Sequence, residues 1–509
     1  MYPTTETPTV TTTKPSINNI LVGLLWALAT AISCLVIVLI YRSRSWGIQW
    51  DSAYLYYIAW LITEGAVPYR DIFDVNFPGT YFIYLFVMKF MGTGNIHWRI
   101  FDLLCLAATN FLIVIYCRPF GKLAVLLAVA LFSAFHLYNG PMYMGQRDYL
   151  MLMFLLGSLY CLARYMEQDG GGMLLLFGGL SLGYALLIKP QTGLLGIFIL
   201  AFISIHGLRT PGRSLRGAVF FVTACGLIPA CFVILMWHSG GLVSLFDIFC
   251  NRSALTAAKF TSMAVNQTAF LGFFGMPQLA IYTITLIIIA GCIVSRQYRI
   301  RRLLLSVSMI YGLCNFYLQS RCLYQFYPFV LFMFMGIASL TNCFRTKKQA
   351  VIRCVVLIVL VQFSLIGLYR SSKNIIAPPP HHITTFRLKN RLVLDLSRRL
   401  KPGETVQVME CLSGCIHALY ELRCKQPTRF LFDGPFFQNV GHPYIQKIRQ
   451  EFLGDLQASP PAYFVISVLS WPIRGYERLD TFPELKKWLN RNYRMESDPG
   501  FYHLYRRID

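Results

Sequence analysis

The chain has 509 residues, 56% of them hydrophobic and 14% charged. Its mean hydropathy of +0.52 excludes a soluble globular protein, since runs such as 20–40, 172–188 and 351–369 are nearly charge-free and a spanning helix needs about 20 apolar residues. The formal net charge of +23 does not point to nucleic acid, because Lys and Arg punctuate the apolar runs, a pattern that sets membrane orientation and can hold lipid phosphates.

In chain order, residues 1–17, rich in Thr and Pro, read as a disordered cytoplasmic tail. The run Ile20–Ile40 is too long for a signal-peptide core and shows no clear cleavage site, so it reads as a retained helix. Spanning helices are predicted near 18–40, 98–117, 121–138, 148–165, 172–188, 191–208, 217–237, 274–294, 303–319, 325–342 and 351–369. The segment 76–92 is apolar but short, with Pro78 and Gly79 at its start and Lys89 inside. Laid in the interface as an amphipathic helix, it puts 15 of the 25 Lys and Arg before residue 370 on the side of the N-terminus. Made to span, it leaves 7 there against 18. The positive-inside rule selects the first arrangement. The N-terminus is then cytoplasmic, and the loop 41–98 and the segment 370–509 face outward. Arg296, Arg299, Arg301 and Arg302 read as part of this orientation signal.

Residues 370–509 hold 21 Lys or Arg and 13 Asp or Glu, as a water-soluble segment does. Strands are predicted at Thr405–Met409, Ala462–Leu469 and Tyr502–Arg506, and helices at Cys415–Leu422, Tyr444–Leu456 and Glu484–Asn492. Pro378–Pro380 suggests an extended linker. The fold class is therefore mainly α. It is a polytopic helical membrane protein with about eleven transmembrane helices in 18–369, an interfacial helix in the outer loop and a C-terminal soluble α/β domain. The 15 cysteines show no metal-ligand spacing, and those in membrane segments act as small apolar residues. Cys411, Cys415 and Cys424 either form one disulfide or remain thiols.

Only ten carboxylates precede residue 370, and Asp51, Glu64, Asp71 and Asp74 crowd into the first outer loop. Acids are costly in an apolar chain and tend to mark function. Asp51 and Asp148, with Arg70, Arg147, Lys189 and Arg321, converge on the outer face of the predicted topology. Transfer of a sugar from a lipid phosphate to a hydroxyl needs a base for the hydroxyl proton and positive charge at the departing phosphate. These residues supply both. Each also has a blander reading. Asp51 can cap the helix it begins, Asp71 and Arg70 can pair at a turn, Asp148 can pair with Arg147, and Lys189 can snorkel to headgroups. Tyr54, Tyr56, Tyr57 and Trp60 fit an interfacial aromatic belt better than a sugar-stacking surface.

The run Asp51-x-x-Tyr54…Gly65-x-x-Pro68-Tyr69-Arg70-Asp71…Pro78-Gly79-Thr80 resembles the first outer loop of multi-spanning glycosyltransferases, the family of protein O-mannosyltransferases and the lipid A aminoarabinose transferase. Gln146-Arg147-Asp148, Ile188-Lys189-Pro190 and Arg321-x-x-x-Gln325-Phe326 follow in the same order. The resemblance implies a polyprenyl-phosphate sugar donor, Asp51 as catalytic base, and Lys189 and Arg321 at the donor phosphate; beside them Arg70, Asp71 and Asp148 are expected to shape the substrate site. The chain departs from the family where a frequent Asp-Glu pair reads Asp51-Ser52 and a usual His-Tyr reads Gln325-Phe326. The sugar and any help from a divalent cation are therefore left open. The implied function is a membrane glycosyltransferase at the outer face of a bacterial inner membrane, acting on a cell-envelope glycan such as lipopolysaccharide, a lipid or a protein. Two other classes share these features: a flippase for a lipid-linked sugar, which needs charges at the bilayer centre, and a non-catalytic envelope assembly subunit.

Overall fold

The computed structural model describes residues 17–168, 171–206, 211–256, 278–294, 298–319, 322–341, 380–410, 412, 414–469 and 474–508. The predicted tail, the predicted helix 351–369, Arg321 and Cys411 lie outside them. The chain opens with α1 (Ile17–Arg42), α2 (Asp51–Thr63), α3 (Gly79–Phe90), α4 (Asn95–Cys117) and α5 (Lys122–Tyr138). Next come α6 (Arg147–Leu150), α7 (Leu152–Gln168), α8 (Gly172–Ile188), α9 (Gly193–His206) and α10 (Pro211–His238). Then follow α11 (Leu242–Cys250), α12 (Arg252–Leu255), α13 (Gln278–Val294), α14 (Arg299–Tyr317) and α15 (Tyr327–Leu340). The chain is mainly helical and multi-pass. Among the described residues, 6 helices are long and apolar enough to cross a membrane. The 12 residues of α3 reach only about 18 Å, well short of a bilayer's ~30 Å hydrocarbon core.

Burial ranks the helices from centre to periphery. Every residue of α15 is buried, and it packs against α5 and α14. By contrast α1 and α10 expose apolar side chains, among them Ile37, Val38, Val219, Leu227 and Trp237, as lipid-facing helices do. Small residues let α8 lie close against α10: a Cβ on Gly179 would meet Phe221 O at 2.7 Å and Ala224 Cβ at 2.6 Å. Arg301 and Arg302 do more than orient the chain. Both are buried. Arg301 pairs with Glu167 at 2.7 Å and donates to the Tyr116 carbonyl at 2.5 Å, while Arg302 donates to Ser339 O at 2.8 Å.

Beyond residue 379 come α16 (Pro380–Ser397), α17 (Cys415–Leu422), α18 (Pro443–Ala458) and α19 (Pro483–Asn492). Their partners are β1 (Val406–Met409), β2 (Tyr463–Ser467), β3 (Tyr493–Ser497) and β4 (Tyr502–Arg507), in a sheet of order β1-β2-β4-β3. β1 runs parallel to β2, with Val408 opposite Val465, and the other pairings are antiparallel. Two expectations are corrected here. Pro380 begins a helix rather than an extended linker, because a proline at a first helical position has no intrahelical N–H bond to lose. β3, a mostly exposed edge strand, was not predicted. Cys415 and Cys424 are free thiols.

This C-terminal part sits on the first loop. Tyr57 Oη donates to Cys424 O at 2.9 Å, Phe73 N to Arg429 O at 2.8 Å, and Tyr420 Oη to Thr93 O at 3.0 Å. Tyr54, Tyr56, Tyr57 and Trp60 are therefore buried within the protein, neither an aromatic belt nor an open stacking surface.

Candidate active site

The site grows from the start of α2. Trp50 takes a positive φ of 50°, an uncommon conformation for a bulky residue, and turns the chain so that Asp51 is the first helical residue. The Asp51 side chain does not cap the helix. Its Oδ2 accepts from Gln146 Nε2 at 2.9 Å, and the residue stays half-exposed. Ser52, where an acid is frequent in the resembling family, donates to Met144 O at 2.8 Å and accepts from Tyr84 Oη at 3.0 Å.

Arg147, at the start of α6, lies at the centre of the group. Its charge acts on Asp51, Asp74 and Asp148, and its guanidinium donates to Asn76 Oδ1. Asp74 is buried and receives Tyr81 Oη at 2.5 Å and Asn76 Nδ2 at 3.0 Å. Burial pushes its carboxyl above the usual range, opposed by the Tyr81 hydroxyl and Arg147. Arg252, at the start of α12, interacts electrostatically with Asp74, Tyr69, Tyr81 and Arg147. Its guanidinium lies 5.3 Å from the Phe77 ring and 5.5 Å from the Phe249 ring, and its buried Nη1 has no partner among the described residues. Burial, then the Arg147 charge, lowers its pKa.

On the other side, Lys189 leaves the C-terminus of α8 to pair with buried Asp148 at 2.5 Å, and donates to Gln319 Oε1 at 2.5 Å. Asn315 Nδ2 stands 3.4 Å from Asp148 Oδ1. Burial lowers the Lys189 pKa to about 8 against the opposing pull of Asp148. Tyr324 completes this wall, with Asp51, Arg147 and Asp148 acting on its hydroxyl and Lys189 Nζ 6.0 Å from its ring.

Asp51, Asp148 and Lys189 are thus brought together. Arg70 and Asp71 are not part of the group. They form an exposed bidentate pair at 2.9 and 2.8 Å, and Arg70 reaches Ser239 O at 3.0 Å. Asp71 lines a cavity of about 160 Å³ with Leu61, Glu64 and Lys425, at the far end of α2 from Asp51. Sequence reasoning passed over Arg252, Asn76, Tyr81 and Tyr324. The signal for Arg252 was a cation in the predicted outer connection 238–273, whose other charges are Asp247 and Lys259. Among the described residues, no three His, Cys, Asp or Glu side chains gather as a metal site.

Residues 76–237 match the family model described as dolichyl-phosphate-mannose-protein mannosyltransferase. The crystal structure of ArnT from Cupriavidus metallidurans bound to undecaprenyl phosphate superposes with a TM-score of 0.56 at 12% identity, over 94% of this chain and 98% of that one. The resemblance to polyprenyl-phosphate-dependent membrane glycosyltransferases is borne out. The apo form of the same ArnT gives a TM-score of 0.54 at 12% identity, over 94% of this chain and 97% of that one. None of the curated proteins matches this chain. At this identity the likeness to ArnT speaks for the fold alone: an ArnT-like fold over nearly the whole chain.

Proposed function

We propose that this protein transfers a sugar from a polyprenyl phosphate to a hydroxyl of a cell-envelope glycan, lipid or protein, at the outer face of a bacterial inner membrane. The observation that carries the reading is the placement of one partly exposed carboxylate, Asp51, against the cation Arg147, whose charge also acts on Arg252 and Lys189. Asp51 takes the proton of the acceptor hydroxyl. The hydroxyl oxygen bonds to the anomeric carbon as the bond from that carbon to the phosphate oxygen breaks, and the leaving lipid phosphate keeps the electron pair. Its charge rises from one to two, and fixed cations stabilise that change. Arg147 acts on Asp51, and Arg252 lies within reach of the Arg147 charge. Lys189, held by Asp148 and Gln319, gives a third charge, and the sequence adds Arg321. A single base with direct displacement inverts the anomeric centre.

The polar group sits where helices start or end: the beginnings of α2, α6 and α12 and the end of α8. That placement favours chemistry at an interface over transport through mid-helix charges. The test uses purified protein in lipid nanodiscs, a panel of labelled undecaprenyl-phosphate sugars and a bacterial membrane extract as acceptor. Transfer with an anomeric configuration opposite to the donor's supports the reading. A retained configuration contradicts the single-base mechanism, and no transfer from any donor contradicts the activity.

A further inference from the structure

The loop between α5 and α6 holds the start of α2 at two points and Tyr84 of α3 at a third. Ser52 Oγ donates to Met144 O at 2.8 Å, Tyr84 Oη reaches Gly145 O at 3.2 Å, and Gln146 Nε2 donates to Asp51 Oδ2 at 2.9 Å. Gly145 is required at its place. Its φ is +65°, and Tyr84 Oη lies 2.7 Å from where a Cβ would stand.

Chemistry fixes the orientation of the Gln146 amide. Its nitrogen faces Asp51 Oδ2 at 2.9 Å and the Met142 carbonyl at 3.1 Å. Both neighbours accept hydrogen bonds, so the flipped amide would set oxygen against oxygen twice. Both N–H bonds are therefore spent on these contacts. The amide oxygen is left buried with no partner among the described residues. A buried unpaired acceptor is rare and calls for a reason. Holding Asp51 supplies one.

We propose that Gln146 is a positioning residue for the base: by engaging Oδ2 of Asp51 it leaves Oδ1 as the oxygen that receives the acceptor proton. The inference rests on the glycosyl-transfer reading above. A neutral amide suits the task because it donates without neutralising the carboxylate. Base catalysis needs the proton acceptor within hydrogen-bond reach of the reacting hydroxyl, and a rotated carboxylate loses that geometry.

The test combines Gln146→Ala and Gln146→Glu. The other titratable groups acting on Asp51 are Arg147, Tyr324 and Tyr84, and neither variant alters them. Gln146→Ala lowers kcat at least tenfold while the donor KM and the affinity for undecaprenyl phosphate hold. In Gln146→Glu two carboxylates share one hydrogen-bond position, so they ionise in sequence and the acid limb of the kcat profile moves to higher pH by a unit or more. Thermal unfolding in detergent checks that both variants fold. A purely structural Gln146 would lower thermal stability and active yield without moving the pH limb, and that result overturns the proposal. An infrared carboxyl band, assigned by its loss in Asp51→Asn, reads the same coupling without turnover. If wild type transfers nothing yet Gln146→Glu shifts this band, the contact stands and the transfer reading falls. If the band and the limb both stay in place, the positioning role falls.

Discussion

Lys189 joins a buried ion pair to a proposed place at the donor phosphate. Its ammonium is 6% exposed and its partner Asp148 is fully buried. Removing one member of a buried pair strands the other, which costs about 3–5 kcal/mol. Asp148→Ala is therefore expected to lower the unfolding temperature in detergent clearly, far more than loss of the exposed, solvent-screened Arg70–Asp71 pair. Lys189 also gives a pH signature. Burial disfavours its charged form and brings its pKa to about 8. The protonated fraction then falls as pH rises through that value, so affinity for undecaprenyl phosphate should weaken above it. Titrating binding from pH 7 to about 9.5 checks this, and Lys189→Arg, which stays charged, should flatten the curve. A curve of equal slope in both proteins would remove Lys189 from the phosphate site. At this scale Asp51, Asp148 and Lys189 were legible because charge is rare in an apolar chain. Asp74 and Arg147 were visible as charges, but their central place was not, since nothing in the spacing says that Arg147 faces residues 51, 74 and 148 together. Asn76, Tyr81 and Tyr324 are ordinary polar and aromatic residues among many, and only packing singles them out.

Elements were readable wherever burial has a direction. Among the described residues the long apolar runs correspond to helices, because a lipid-facing helix must be apolar along its whole length. α2 is different. Its residues Ser52–Leu61 are all buried, enclosed by α3 and by α17 from the far end of the chain. No face of the helix is thus more buried than another over these residues. In α16 the spacing of Leu388, Leu392 and Leu396, all buried, was a helical signal that the preceding prolines obscured. β3, with the sequence YRMES and four of its five residues not fully buried, offers almost no apolar pattern. The α8–α10 contact yields a prediction at this level. Gly179→Leu places a side chain where Phe221 O already stands 2.7 Å from a Cβ position. The helices must separate, and a fall in folded yield and unfolding temperature is expected, while Gly226→Ala, with nothing within 4 Å, should be neutral. Equal behaviour of the two would show that close packing at Gly179 does not hold α8 to α10.

At the level of the whole molecule, the C-terminal part covers the loop that carries Asp51. Lys447 and Tyr444 of α18 reach Asp247 on α11, at 3.3 and 3.0 Å. Arg429 reaches Tyr69 O at 3.0 Å. The first loop and the C-terminal part must then face the same side of the membrane, which the positive-inside expectation puts outside. A cysteine at Met495, half exposed on β3, reports this directly. In intact spheroplasts it should react with a membrane-impermeant maleimide. Protection until the membrane is broken would invert the topology. The multi-pass class and the family likeness were legible in composition and in the first loop. The docking of residues 380–508 onto α2 was not, because contacts more than 300 residues apart, such as Tyr57 to Cys424, leave no mark on local sequence.

The central claim is that Asp51 is the base of a glycosyl transfer. The decisive measurement compares wild type and Asp51→Asn, at equal folded protein, for transfer of labelled sugar from undecaprenyl-phosphate donors and for binding of undecaprenyl phosphate. Loss of a positioned general base costs about 10²–10⁴-fold in rate, so transfer should fall by that factor while lipid-phosphate binding stays within a few-fold. Full transfer by Asp51→Asn would contradict the claim.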